Sequence, residues 1–413
     1  MVALGGVALP ACGGSTQVAS GPVTLSYYNQ PDSSSATGDA ATRCSAQSGG
    51  KYKINYIKLP SAADQQRQQL VRRLAAHDSS VDIMGLDVTW EPEFSEAGWI
   101  VPWTGSDRAQ VEADTLPGPL ETATWHNQLV AAPLNSNTQL LWYRSDLVPS
   151  PPTTWDQMIS DATALAKAGK PHYIEIQGAQ YEGLTVWFNS LVTSAGGSIL
   201  NRSSTKPALG QPALTAIGVM KHLATSVAAD PSLPVQMEDQ NRLAMEQGTA
   251  AFEINYPFVY PSMKSDAPQL FKVFKYAPYP GISADLPTHS TIGGIDLTVS
   301  SFSKHKQLDF EAVLCLRDQA NQLEAATVGG LPPTLKAIYS TPTPKFVQTY
   351  PFYKLILQQL TTAAVRPKTP EYQEVSIYIS HTLSPPAAIS PKANLATLTS
   401  QISQALDQKG LIP

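Results

Sequence analysis

The residues in this chain that could do chemistry are few: three cysteines, seven scattered histidines and a thin set of carboxylates. Cys12 closes the stretch Leu9-Pro10-Ala11-Cys12, after an uncharged run over 1–11 and before a loose polar segment over 13–21. An apolar run, small residues and then a Cys form the layout of a bacterial lipoprotein signal. In such a signal the thiol takes a diacylglycerol, and cleavage frees a new N-terminus at the Cys. On this reading residues 1–21 are a leader and linker. The body is then extracytoplasmic, held at the outer face of the cytoplasmic membrane by a lipidated Cys12. Against it, no basic residue precedes Cys12 and Pro10 stands close to the cut; the alternative is a chance Cys in an apolar tail. The run is too short to span a bilayer.

Cys44 and Cys315 form an even pair once Cys12 is acylated. In an oxidising compartment they could close one disulfide between distant segments; otherwise they are buried thiols acting as small hydrophobes. The histidines at 77, 126, 172, 222, 289, 305 and 381 show no ligand spacing, and no Cys-x-x-Cys occurs, so neither metal nor cofactor is expected. The dinucleotide glycine fingerprint, the phosphate-cradling loop, H-E-x-x-H and the G-x-S-x-G elbow are all missing. Asp87 and Glu238 could serve a glycosidase only if they faced each other across a suitable gap. Nothing in their surroundings marks either as an acid catalyst, so no enzyme is expected.

These residues must be positioned by a large body. A chain of 413 residues can bury an extensive core and suggests two domains or two lobes. Hydrophobic residues at 42% and charged ones at 15% fit an ordinary globular protein. A net charge of −5 with no basic cluster excludes the electrostatic footprint of a nucleic-acid binder. The 34 prolines fall mostly between periodic segments, so elements are many and sharply bounded.

Periodicity predicts strands at 23–28, 53–59 and 81–86, the last ending at Asp87, with helices between them through Cys44 and from a Ser61 cap to about Ala76. A strand is expected over 137–143, then a helix opened by Thr154 and closed by Gly169. Helical patterns follow at 183–195, 213–228 and 241–247, with a strand at 250–255. Further on, 295–299 reads as a strand, 310–326 as a helix, and the chain from about 346 as helices broken by proline. Alternating strand and helix implies an α/β fold with mostly parallel sheet covered on both faces.

Segment 82–99, DIMGLDVTWEPEFSEAGW, resembles the signature region of the extracytoplasmic sugar-binding proteins of ABC importers (family 1 solute-binding proteins). Further landmarks follow in that family's order: AAPLNSNTQLLWY at 131–143, EQGTAAF at 246–252, Gly293-Gly294, and GGLP at 329–332. The phrases NTQLLWYR at 137–144, AGGS at 195–198 and AAVRP at 363–367 are similar to the mycobacterial trehalose-binding lipoproteins within it, as are the positions of Cys44 and Cys315. Between Met263 and Phe274 this chain is shorter than those relatives, so either a loop is missing or the cleft rim differs.

The resemblance implies a two-lobe periplasmic-binding-protein fold with a hinge and a central ligand cleft. It assigns 22–133 and 278–328 to lobe one, and 134–277 and 329–413 to lobe two. Cys44 and Cys315 then lie in one lobe, where a disulfide would leave the hinge free. It implies a monomer that captures trehalose or a similar disaccharide and delivers it to ABC permease and ATPase subunits. Rival readings are another cargo, such as a maltose-like oligosaccharide or a glycerophosphodiester, a secreted glycosidase, or a structural lipoprotein.

A disaccharide needs acceptors and forked donors for its hydroxyls and aromatic planes for its C–H faces. Asp87, at a strand end, could accept from vicinal hydroxyls; its other role would be to cap the following turn. Asn137 and Asn135 stand at the expected first hinge crossing, with a turn role as the alternative. Glu238 matches a ligand position in the trehalose-binding relatives but could merely favour a helix dipole. Tyr256 would stack on a sugar ring, where those relatives carry Trp, or would fill core. Arg366 offers a planar fork to sugar oxygens or to Asp87 across the cleft. Gly294 and Leu331 would let backbone approach the sugar, and Asn29 and Gln30 in the N-terminal loop would add contacts. Trp90 and Trp103 are expected to pack rather than stack.

Overall fold

The computed structural model describes residues 1–2, 21–32 and 34–407, so the lipid attachment expected at Cys12 lies outside the described residues. Strands β1 (Val23–Asn29), β2 (Tyr52–Lys58) and β3 (Ile83–Asp87) alternate with helices Ala36–Gln47 and Ala63–Ala75. A small hairpin follows, β4 (Thr124–Trp125) with β5 (Gln128–Leu129), then β6 (Ala132–Asn137) and β7 (Leu140–Arg144). The remaining strands are β8 (Tyr173–Glu175), β9 (Ala250–Asn255), β10 (Phe274–Ala277) and β11 (Gly293–Val299). They assemble into a five-stranded sheet of order β2-β1-β3-β11-β6 and a four-stranded sheet of order β10-β7-β9-β8.

The central strands are buried on both faces of their sheets, whereas the edge strand β2 alternates, with Lys53 and Asn55 exposed. Successive residues of the first sheet serve opposite cores. Tyr27 and Ile83 pack with the helices Ala36–Gln47 and Lys306–Leu316, whereas Tyr28 and Met84 pack with Leu70, Leu74 and Phe94. In the second sheet Leu141 faces a core built on Trp155 and Trp187, while its neighbour Trp142 faces Phe274 and Phe352. Trp142 stacks on Phe274 at 5.2 Å between centroids, and its indole N–H donates to the Asn255 carbonyl at 2.9 Å. The two sheets with their helices are two lobes.

Several elements depart from the periodic reading. The stretch 137–143 is two strands in different sheets, because Thr138 and Gln139 carry the chain from β6 to β7. The first sheet is mixed rather than mostly parallel. Strands β1, β2 and β3 run parallel, but β11 enters between β3 and β6 antiparallel to both. It returns from the second lobe and so enters the sheet from the opposite side. The expected helix over 310–326 is two, Lys306–Leu316 and Gln319–Gly329, because Asp318 caps the second by accepting from Asn321 N. Ser61 caps nothing: the helix Ala63–Ala75 has Ala62 at its cap position. Thr154 does cap its helix, accepting from Gln157 N. Trp90 and Trp103 are buried.

Cys44 and Cys315 form a disulfide between the helices Ala36–Gln47 and Lys306–Leu316, with 5.8 Å between Cα atoms and 271 residues between the partners. Both helices pack on the first sheet, so the bond ties the early and late segments of one lobe and crosses no hinge. A closed loop of that kind typically contributes about 2–4 kcal/mol. The crossings between lobes are tied by hydrogen bonds of side chains and backbone instead. The Thr138 and Ser290 hydroxyls are hydrogen-bonded, Gln359 donates to the Gln139 carbonyl at 2.7 Å, and Ile292 N donates to Ala364 O at 2.9 Å.

Candidate functional site

A cavity of about 410 Å³ opens between the lobes. Its wall on the first lobe is the C-terminal end of β3 and the start of β11, and on the second lobe the starts of the helices Glu182–Ser194 and Glu238–Glu246. Asp87 ends β3 opposite Ile295. Its Oδ1 accepts from Thr89 N at 3.1 Å and Thr89 Oγ1 at 2.8 Å, so it caps the turn. The same oxygen accepts from an Arg366 guanidinium nitrogen at 3.0 Å, so the turn role and the cleft role coexist.

Arg366 is 3% exposed and joins the two lobes. Its other terminal nitrogen donates to Glu182 Oε1 at 2.5 Å, its central carbon lies 5.9 Å from the Tyr372 ring centroid, and its Nε has no hydrogen-bond partner among the described residues. Glu182 also accepts from the Tyr372 and Ser376 hydroxyls. Burial pushes the Glu182 carboxyl up to about 7, against the pull of Arg366. Burial also disfavours the guanidinium charge, but Asp87, Tyr372 and Glu182 outweigh it and hold Arg366 charged. An ion triad so enclosed is worth little as net stability, yet removing its centre would strand two acids.

The cavity also brings together Asn137, Glu238, Tyr256, Gly294, Leu331 and Gln30. Asn137 is the last residue of β6, opposite Gly293. Glu238 is the first residue of its helix, and burial raises its carboxyl above the ordinary range. Tyr256 follows β9, and burial, with the Glu238 charge beside it, raises its phenol. Gly294 has φ +144, and a Cβ there would stand 2.3 Å from the Asn135 carbonyl oxygen. Only glycine lets β6 and β11 approach so closely at the cleft floor.

Asn29 and Asn135 lie behind the cleft instead of in its wall, around a separate pocket of about 30 Å³. The Asn29 amide donates to the Tyr27 hydroxyl at 2.6 Å and accepts from Gln30 N at 2.9 Å, folded over Gly85. Asn135 is buried with its Oδ1 unpartnered. No residue from 263 to 274 lines the cavity, so the shortened segment does not form its rim. Among the wall residues that escaped sequence reasoning are Tyr181 and Glu182. A Glu at a helix start reads as a dipole complement, and its cation stands 184 residues away.

Among the described residues no group of three or more His, Cys, Asp or Glu could hold a metal ion, and no helix is long and apolar enough to cross a membrane. Residues 46–317 match the family of bacterial extracellular solute-binding proteins. The chain belongs to that family. A probable ABC transporter-binding protein of Deinococcus radiodurans is 24% identical over 341 residues, 78% of this chain and 79% of its own. MalE3 of T. maritima, solved with maltose bound, superposes with a TM-score of 0.85 at 25% identity, over 92% of this chain and 99% of its own. The GacH receptor of Streptomyces glaucescens, solved unliganded and with acarbose, gives 0.82 at 20% identity over 94% and 99%. These likenesses confirm the two-lobe periplasmic-binding-protein fold. The chain is therefore a solute-binding protein of the ABC sugar-importer class and not an enzyme.

Proposed function

We propose that this binding protein captures trehalose, or a close α-linked disaccharide, in the interlobe cleft and delivers it to its ABC permease. The observation that carries the reading is Arg366, which holds Asp87 of one lobe and Glu182 of the other at the wall of a cavity with hydroxyl-seeking Asn137 and Glu238 and the Tyr256 ring. The cavity volume falls within the roughly 300–1,000 Å³ of small-molecule sites. Carboxylates Asp32, Asp87, Glu182, Glu238 and Asp239 line it against Arg366, a balance that disfavours a phosphate-bearing cargo such as a glycerophosphodiester. We further propose that the protein is a monomer tethered by a lipid at Cys12, with lobe one at 22–133 and 278–328 and lobe two at 134–277 and 329–413.

Sugar drives closure only by binding the closed arrangement more tightly, and contacts from both lobes to one ligand supply that difference. Micromolar affinity, about −8 kcal/mol, suits a receptor that must also release. Calorimetric titration of residues 13–413 with trehalose, maltose and sucrose tests the reading. A saturable micromolar signal for trehalose above the others is expected. Maltose is the second cargo to weigh, because the similar MalE3 was solved with it. Silence toward trehalose with a signal for maltose would transfer the assignment, and silence toward all three would sink both.

A further inference from the structure

The Tyr181 hydroxyl in the cleft wall has no hydrogen-bond partner among the described residues. Tyr181 precedes the helix Glu182–Ser194 and is 8% exposed, yet its hydroxyl makes no hydrogen bond. A buried phenol without a partner costs free energy, so such groups ordinarily find one. The ring is held in place: a Cβ on Gly183 would stand 2.2 Å from the Tyr181 oxygen, so glycine there leaves the space the phenol occupies. Glu238 and Tyr256 line the same cavity and complete a group with Tyr181 on the second lobe. The Glu238 carboxylate lies close enough to act on the Tyr181 phenol, without closing a hydrogen bond of acceptable geometry.

We infer that the Tyr181 hydroxyl and the Glu238 carboxylate form a specificity pair that grips one hydroxyl of the sugar ring seated on the second lobe. The inference rests on the sugar reading above and deepens it. Tyr181 donates or accepts, Glu238 accepts while ionised and donates when protonated, and burial raises the pKa of both groups, which favours the protonated, donating form of each. A ligand hydroxyl between them satisfies both at once. A ligand without that hydroxyl leaves both unpaired in a dry site, a strong basis for rejecting it. The Asp87–Arg366–Glu182 triad, by contrast, is already paired within the protein, so it contributes less to telling one ring from another.

The test titrates the wild type, Tyr181→Phe and Gly183→Ala with trehalose, maltose and the symmetric 2,2′-, 3,3′-, 4,4′- and 6,6′-dideoxytrehaloses. Symmetric analogues prevent the sugar from turning its intact ring to the site; the matching deoxymaltoses replace them if maltose alone binds. Tyr181→Phe is expected to weaken the parent sugar about tenfold, the worth of one hydrogen bond in such a site. One deoxy analogue should bind the wild type and Tyr181→Phe equally. Gly183→Ala, which must displace the ring, should give at least the same loss and the same indifference to that analogue. Parent binding unchanged by Tyr181→Phe overturns the inference and leaves the cargo reading intact. A uniform loss across all analogues also overturns it, since that marks ring packing alone. If the wild type binds none of the sugars, the cargo reading and the pair fall together.

Discussion

Two pairs of acids lie one register step apart, and the molecule treats them in opposite ways. Asp87 ends β3 opposite Ile295, and the next residue of β11, Asp296, sits opposite Leu86 with Glu91 beside it. Asp87 and Glu182 share the Arg366 guanidinium at the cleft wall. Glu91 and Asp296 are fully buried with no ion pair among the described residues; both Glu91 oxygens and Asp296 Oδ1 lack hydrogen-bond partners. Burial, reinforced by Asp87, pushes the Asp296 carboxyl up to about 8, while burial together with Asp296 drives Glu91 well above the carboxylate range. Beneath the cleft floor burial pushes Glu91 and Asp296 toward the protonated form, whereas in the wall Asp87 and Glu182 are matched to Arg366. Depth alone therefore does not mark a candidate ligand site; a place in the cavity wall does, as at Asp87, Glu182 and Glu238.

The harshest way to break this contrast is Arg366→Ala. It leaves two buried acids without their cation, so we expect sugar binding to fall at least a hundredfold and stability by about 3–5 kcal/mol. Calorimetry and thermal melts read the two effects separately, and full binding would remove Arg366 from the site. Asp87→Asn keeps the shape and the Thr89 turn but loses the charge facing Arg366. Its expected cost is roughly tenfold in affinity with the fold intact, the scale of one charge-assisted hydrogen bond.

The neutral pair gives a pH signature instead. Asp296, Glu175 and Glu253 all have carboxyls raised to about 8 in the folded protein, each chiefly by burial. The folded state therefore holds more protons than the unfolded one between about pH 4 and pH 8. Stability should fall as pH rises through that window and level off above it. Asp296→Asn should flatten part of the slope, seen as a melting point a few degrees less sensitive to pH; an unchanged slope would count against a protonated Asp296. The smallest effect is expected from Lys368→Met. Its ammonium donates to the Glu121 and Thr124 carbonyls at 2.7 and 2.6 Å, a contact from the Arg366 segment to the first lobe outside the triad. Losing it should weaken sugar binding about twofold, through an easier-opening cleft.

The sequence made Asp87 legible because a carboxylate at the end of a short apolar strand has few other uses, and Arg366 because it stands in a charge-poor stretch. It could not reveal that Asn29 is spent on Tyr27 and Gln30, or that Asn135 lies two residues deeper along β6 than Asn137. Burial depth along a strand is a tertiary quantity, invisible to a period of two. Tyr181 and Glu182 escaped for the same kind of reason: their partners come from other elements of the fold. Periodicity located most strands and helices, but not the direction of β11, which depends on how the chain returns through the hinge.

That return also sets an order of assembly. The second sheet draws all its strands from residues 140–277, whereas the first, which begins at Val23, lacks its inner strand until 293–299 is present. A chain emerging N-terminus first would thus expose the open edges of β3 and β6 while its later half is already pairing, and such edges invite wrong partners. We expect a fragment ending at 289 to leave β3 and β6 open to proteolysis, and protection of both strands in that fragment would refute this order. The second lobe waits longer still, since Val375, Ile379, Leu398 and Ile402 belong to its core and Arg366 to the cleft wall, so the ability to hold ligand appears only after most of the protein has been made.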